Sequence, residues 1–236
     1  MVSIRDLLLL YPRGNSYYKK VLSYNPIAYW PLWETSGNVA HCLVNPAQNG
    51  TYTGVTLGQP GIGDGRTCPL FDGANDYVNI FSPALAAAFG GGEGSMACWL
   101  KVFNVWADGA WRWIHTLAAD ANNLVEAVKQ PNLALLDTSY HGSSIADTCS
   151  SAVPVPNLWI HYGHTWSVTT DLSQVYIDGV PICNRTTLGA WLGALTVAII
   201  GARTLVPASV FHGYIAHYGL WDEALPPATM ASLAVV

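Results

Sequence analysis

Charge is what this chain has least of. Lysine, arginine, aspartate and glutamate make up 11 % of its 236 residues, against roughly 25 % in an average soluble domain. Ser, Thr, Asn, Gly and exposed apolar or aromatic groups must therefore form much of the surface, a composition that predicts burial against other molecules. The net charge of −5 argues against nucleic acid as a partner. No apolar run reaches the roughly 18 residues that cross a bilayer, since Leu192–Ile200 is short and broken by Thr196, so no membrane span is expected. The start, Met1–Asn15, lacks a small-residue cleavage site, and no signal peptide is read there. Cysteine is sparse and irregular: Cys42, Cys68, Cys98, Cys149 and Cys183 form no C-x-x-C pair, so reduced, mostly buried thiols are expected. Nucleophile elbows and phosphate loops are missing too, because Gly58–Gly65 has no following Lys-Ser/Thr.

What is present is antiparallel β-structure. Phe71–Ile80 reads as an Asp-Gly turn, a second aspartate and an alternating strand, and Trp159–Ile182 reads as two strands closed by another Asp-Gly turn at Asp178-Gly179. Alternation with period two lets one strand face pack while the other meets water, and Gly73 and Gly179 supply the backbone freedom a tight reversal needs. Even spacing of turn signals from Gly37 to Gly219 predicts one sandwich domain over residues 24–236. Ala84–Gly92 and Ala224–Val236 predict one or two short helices, the second entered through Pro226-Pro227. Residues 1–23 stand apart as an N-terminal arm. Residues 1–20 carry four bases and one acid (net +3), whereas the rest carries six bases and fourteen acids (net −8).

These segments, with Ile200–Ala202, Phe211–Leu225 and the opening Pro26-Ile27-Ala28-Tyr29-Trp30-Pro31-Leu32-Trp33-Glu34-Thr35-Ser36-Gly37, resemble the LamG-like jelly-roll modules of the concanavalin A-like lectin/glucanase superfamily. The resemblance covers most of residues 24–235 and implies an all-β, two-sheet antiparallel jelly-roll sandwich. It places Trp99 as a buried strand tryptophan and Trp159, His161 and Thr165 on one strand. The chain departs from the pattern at Cys42-Leu43-Val44-Asn45, where relatives commonly carry an aspartate before Ser-Gly.

The glucanase branch needs Glu-x-Asp-x-x-Glu on one strand, and Glu34, Glu93, Glu126 and Glu223 never have that spacing, so no catalytic residue is assigned and no enzyme is expected. Adjacent Asp222 and Glu223 face opposite ways. Histidine pairs His161/His164 and His212/His217 are separated by odd offsets that send partners to opposite sheet faces, which argues against zinc. Lectin-like relatives imply a calcium ion, for which Asp72, Asn75 and Asp76 offer oxygens; the favoured account is that these carboxylates cap their own turn. Trp30, Trp99, Trp159 and Trp166 are assigned to the core. Trp106, Trp111, Trp113 and Trp191, in or beside Gly/Asp/Ala-rich connections, are candidates to stack on a glycan.

The resulting expectation is a non-enzymatic structural virion protein, a bacteriophage capsid decoration or tail-fibre component, localised to a virion assembled in the host cytoplasm. Its partners would be other virion subunits, in a homo-oligomer, and a glycan. Arg5, Leu7, Leu8, Tyr11, Arg13, Lys19 and Lys20 would dock the arm on a neighbour. The alternative is a carbohydrate-binding lectin module.

Overall fold

The computed structural model describes residues 17–103, 108–133, 135–152, 155–206 and 209–236. In chain order the elements are α1 (Tyr17–Ser23), β1 (Ala28–Trp30), β2 (Val39–Ala40), a 3-10 turn (Pro46–Gln48), β3 (Gly50–Thr53), β4 (Thr56–Pro60), β5 (Thr67–Asp72), β6 (Tyr77–Asn79), α2 (Pro83–Ala88), β7 (Glu93–Val102), β8 (Arg112–Asp120), β9 (Asn123–Lys129), β10 (Leu135–Gly142), β11 (Ile145–Ala152), β12 (Ile160–Ser167), β13 (Leu172–Ile177), β14 (Val180–Arg185), β15 (Val197–Ile200), β16 (His212–Trp221) and α3 (Pro227–Leu233). The strands form two antiparallel sheets of eight. Sheet A runs β14-β13-β12-β7-β16-β5-β4, with β1 also on β16; sheet B runs β11-β10-β9-β8-β15-β6-β3-β2. The expected all-β sandwich is therefore observed. No helix among the described residues is long and apolar enough to cross a membrane.

The Asp178-Gly179 turn shows how local sequence sets register. Both residues have positive φ, 50° and 75°, the geometry of a two-residue hairpin turn that matches strand twist. The Asp178 carboxylate also accepts a hydrogen bond from the His161 amide at 2.8 Å, tying the turn to β12. A Cβ at Gly179 would approach the Ala231 Cα to 2.6 Å, so the turn can seat against α3 only as glycine.

Two apolar layers result. Between the sheets lie Trp30, Phe71, Leu100, Leu117, Tyr162, Trp166, Ile215 and Tyr218. On the outer face of sheet A, Tyr29, Trp99, Ala216 and Trp221 are covered by Tyr17 and Val21 of α1 and by Met230 and Leu233 of α3. This corrects two placements. Trp99 is buried, but under the helices rather than between the sheets, and Trp159 is only half-buried on that same outer face, against Tyr214 at 6.0 Å. A strand tryptophan reads the same from sequence whichever face is covered.

The arm is corrected in the same region. Its last seven residues form α1 and belong to the sandwich packing: the Tyr17 hydroxyl donates to the Leu233 carbonyl at 2.8 Å, and Tyr17 is 1 % exposed. Lys20, expected at an assembly contact, donates to the carbonyls of Ser232 and Val235 at the C-terminal end of the same chain. That is where a helix macrodipole favours a cation. Lys19 stays exposed, while Arg5, Leu7, Leu8, Tyr11 and Arg13 lie outside the described residues.

Histidine parity holds once and fails once. His161 lies on the outer face of sheet A beside Trp99, and His164 lies between the sheets, hydrogen-bonded to Ser173 at 2.9 Å. In β16 a register shift between Ala216 and Gly219, with His217 at φ 55°, breaks the alternation. His217 therefore bridges the Tyr29 hydroxyl (2.6 Å) and the Asp64 carboxylate (3.1 Å) beneath α1. Burial raises the Asp64 pKa, but the hydrogen bond and charge of His217 outweigh it and hold the carboxyl below its usual range.

The cysteine expectation is overturned for one pair. Cys149 of β11 and Cys183 of β14 form a disulfide that joins the edge strands of the two sheets, while Cys42, Cys68 and Cys98 are buried thiols. Edges that lie 34 residues apart in sequence meet because the sheets stack, and spacing alone does not disclose stacking. Closing a loop of that length contributes about 4 kcal/mol in the chain-entropy treatment. Replacing both cysteines by serine should lower unfolding free energy by about 2–4 kcal/mol in urea melts without changing the far-ultraviolet circular dichroism.

Burial pushes the pKa values of His115, His161 and His164 down to about 3. The unfolded chain takes up these protons below pH 6.5 while the native state refuses them, so stability is present above that pH and is lost as pH falls towards 3. The slope should approach about 4 kcal/mol per pH unit from the three together. Urea midpoints measured from pH 7 to pH 4 will show the fall, and a flat profile would refute the assignment.

Candidate functional site

The outer face of sheet B has no covering helix among the described residues, and a groove of about 480 Å³ lies on it. Its walls are Trp111, Trp113, Glu126, Val128, Asp137, Ser139, His141, Thr148 and Arg203. Strand alternation builds this set. In β10, Asp137, Ser139 and His141 point outward while Leu136 and Tyr140 join the core; in β9, Glu126 and Val128 do the same opposite Val125 and Ala127. Antiparallel pairing then sets Ser139 beside both Glu126 and Thr148, with the Ser139 and Thr148 hydroxyls 2.9 Å apart. A register shift between Trp113 and His115 lets both Ile114 and His115 turn inward and leaves Trp113 facing out.

The aromatic end is held rigidly. Trp113 donates its indole N–H to Glu126 Oε2 at 2.9 Å, Arg203 Nε lies 3.7 Å from the same oxygen, and the Arg203 guanidinium sits 5.2 Å from the Trp113 ring. Trp111 packs on Trp113 at 5.8 Å with a 38° tilt and is 42 % exposed, so it supplies the free indole face. Asp108 pairs with Arg112 at 3.0 Å and with buried Lys129, a bracket that spans Trp111 and fixes the entry to β8. Burial raises the Asp108 pKa, but the bonds from Lys129, the Ala110 amide and Arg112 hold it below the usual carboxylate range.

The polar end offers fixed acceptors. Asp137 receives Gln130 Nε2 at 2.7 Å and Ser150 Oγ at 2.6 Å. The His141 pKa is lowered by burial and by Arg203, against the opposing charge of Glu126, so the imidazole is neutral at pH 7 and can both donate and accept. An exposed indole face beside hydroxyls, carboxylates and a neutral imidazole can stack on a sugar ring and bond its hydroxyls.

Of the tryptophans assigned to stacking, only Trp111 and Trp113 come together. Trp106 lies outside the described residues. Trp191 is elsewhere, packed edge-on to Phe89 at 5.6 Å with its N–H given to the Gly193 carbonyl at 3.0 Å. Glu126, Asp137, Ser139, His141, Thr148 and Arg203 were missed. Outward alternation in β9 and β10 could have flagged the first four, but strand pairing and a loop residue such as Arg203 leave no local trace.

The residues considered for calcium are engaged in their turn. Asp76 accepts the Asp72 amide and Asp72 accepts the Ala74 amide, both at 2.7 Å, while Asn75 is exposed. Burial raises the Asp76 pKa, and the Asp72 amide only partly offsets it. Among the described residues no three His, Cys, Asp or Glu side chains group to hold a metal. At the Cys42 departure, the Cys42 amide is bound by Asn49 Oδ1 at 2.8 Å. Glu34 accepts from the Tyr52 hydroxyl at 2.7 Å and from the His41 amide at 2.9 Å, both contacts within the fold.

A lectin-type sandwich, with a groove of aromatic and polar side chains on its open sheet, is the class these observations define. The Laminin_G_3 family model, described as concanavalin A-like lectin/glucanases superfamily, matches residues 36–231, and the chain belongs to that family. Among curated proteins none matches the chain. Similar solved structures include domain 4 of AbnA, a GH43 extracellular arabinanase from Geobacillus stearothermophilus, in complex with arabinotriose (TM-score 0.64, 17 % identity, 89 % of this chain and 98 % of that one). A Trypanosoma rangeli sialidase in complex with sialic acid aligns with TM-score 0.67 at 11 % identity over 98 % of this chain, and a botulinum neurotoxin serotype D binding domain with 0.63 at 10 % over 89 %. The chain spans 39 % of that sialidase and 51 % of the neurotoxin domain. At these identities the likeness is one of fold.

If Asp72 and Asp76 serve the turn, chelator will leave the melting temperature unchanged, whereas Asp76→Ala, by orphaning the Asp72 amide, will cost about 1–3 kcal/mol. A chelator-induced drop restored by calcium would reverse the assignment.

Proposed function

We propose that this protein is a non-enzymatic carbohydrate-binding module that takes a glycan in the outer groove of sheet B. The observation that carries this is the Trp111–Trp113 pair, held by Glu126 and Arg203 beside Asp137, Ser139, His141 and Thr148. Trp111 stacks on the ring, and Asp137, Ser139 and Thr148 fix its hydroxyls. Glu126 and Asp137 already accept bonds from Trp113, Gln130 and Ser150, an environment suited to holding hydroxyls rather than delivering a proton. The sugar-bound arabinanase domain, matched over 98 % of its own length, supports the same use of the fold. A glycan array followed by titration calorimetry tests it. Trp111→Ala should lower affinity at least about tenfold and Asp137→Asn by a similar factor, with no reducing sugar released. Binding unaffected by either change would place the ligand elsewhere.

A structural role in a virion, as a capsid decoration or tail-fibre subunit in a homo-oligomer, is the second reading, favoured by the charge contrast between residues 1–16 (two bases, one acid, net +1) and the rest (eight bases, fourteen acids, net −6). Since α1 packs into the sandwich, the docking segment is residues 1–16, with Arg5, Leu7, Leu8, Tyr11 and Arg13. Deleting residues 1–16 should leave a folded chain that no longer assembles in size-exclusion chromatography, and equal assembly by the truncated form would remove this role.

A further inference from the structure

Arg203 lines two concavities, the sugar groove and a second cleft of about 310 Å³ on the same outer face of sheet B. The second is apolar. Val197 and Ile199 of β15 floor it, Phe81 stands at one side, and Leu205 and Val206 of the loop after β15 form the other. Several of its polar groups make hydrogen bonds within the chain. Thr196 donates to the Ala118 and Ala119 carbonyls, Thr204 to the Val206 carbonyl, and Asn79 accepts the Phe81 amide. Phe81, Leu205 and Val206, all lining the cleft, are 38, 50 and 83 % exposed. Exposed carbon beside a built polar site marks a surface made to be covered.

Building on the groove as a sugar site, we propose that the cleft takes an alkyl or acyl chain attached to that sugar, so that the ligand is an amphipathic glycoconjugate rather than a free oligosaccharide. Continuity argues for one molecule rather than two, because Arg203 is a wall of both concavities. A second protein copy would need broad apolar surface, whereas this patch is bounded on one side by Glu126, Asp137 and Arg203 of the groove. A hydrocarbon tail fits the apolar lining.

Methyl and octyl β-glucosides, β-galactosides and β-N-acetylglucosaminides, titrated below their micelle concentrations into the full chain, test this. For the sugar that binds, the octyl glycoside should bind at least about tenfold tighter than the methyl glycoside. Leu205→Asp or Val206→Asp, both at exposed positions, should abolish that gain and leave methyl glycoside affinity unchanged. Equal methyl and octyl affinity would overturn the cleft assignment and leave the groove standing. Octyl binding that ignores Trp111→Ala would show hydrocarbon capture without sugar and overturn the joint ligand. If none of these glycosides binds, this inference fails, while the groove reading stands or falls with the glycan array.

Discussion

Sheet A carries large apolar side chains on both faces, and burying the second face is the constraint on which the rest of the molecule depends. Stacking on sheet B covers one side only. Tyr29, Trp99, Ala216 and Trp221 would otherwise meet water, so α1 and α3, from opposite ends of the chain, close over them. Lys20 then ties the two helices through the Ser232 and Val235 carbonyls, and His217 locks Asp64 and Tyr29 underneath. The helices are part of the core, not decoration.

Committing both helices to sheet A leaves sheet B open. Its outer residues are free to be polar, and the groove exists because β8 to β11 can present Trp113, Glu126, Asp137, Ser139 and Thr148 without losing stability. The inner faces of the same strands carry Ile114, Val125, Leu136 and Cys149, which anchor the floor to the inter-sheet core. Rigidity comes from behind and chemistry from in front, the arrangement that keeps a binding site preorganised.

Legibility in the sequence followed the range of the interaction. Period-two alternation and the Asp178-Gly179 turn are local, and antiparallel strands and that hairpin are readable from them, while the two-sheet architecture follows from the family resemblance. Trp111 and Trp113, two residues apart, are both among the stacking candidates the sequence offers. Whatever needed strand order was not readable: Glu126 meets Ser139 and Thr148 only through pairing, Arg203 arrives from a distant loop, and Trp99 shows which face it occupies only once α1 and α3 are in place. Bulges defeated parity. At His217 and at Trp113/His115 one residue of register shift sends side chains where alternation forbids them. The reduced-thiol expectation failed for the same reason, because Cys149 and Cys183 are neighbours in space alone.

That disulfide makes the molecule's history matter. Disulfides persist in oxidising compartments and are rare in reducing cytosol, so a chain made there would fold with its seam as two thiols and acquire the bond later. In the interval β11 and β14 lie side by side at the open edge, each with a row of unpaired backbone groups that could recruit a foreign strand. Oxidation fastens each edge to the other sheet and leaves those backbone groups unpaired. The disulfide thus ties the two sheets together along their open side, so sliding of one sheet over the other is checked there by a covalent bond rather than by packing alone.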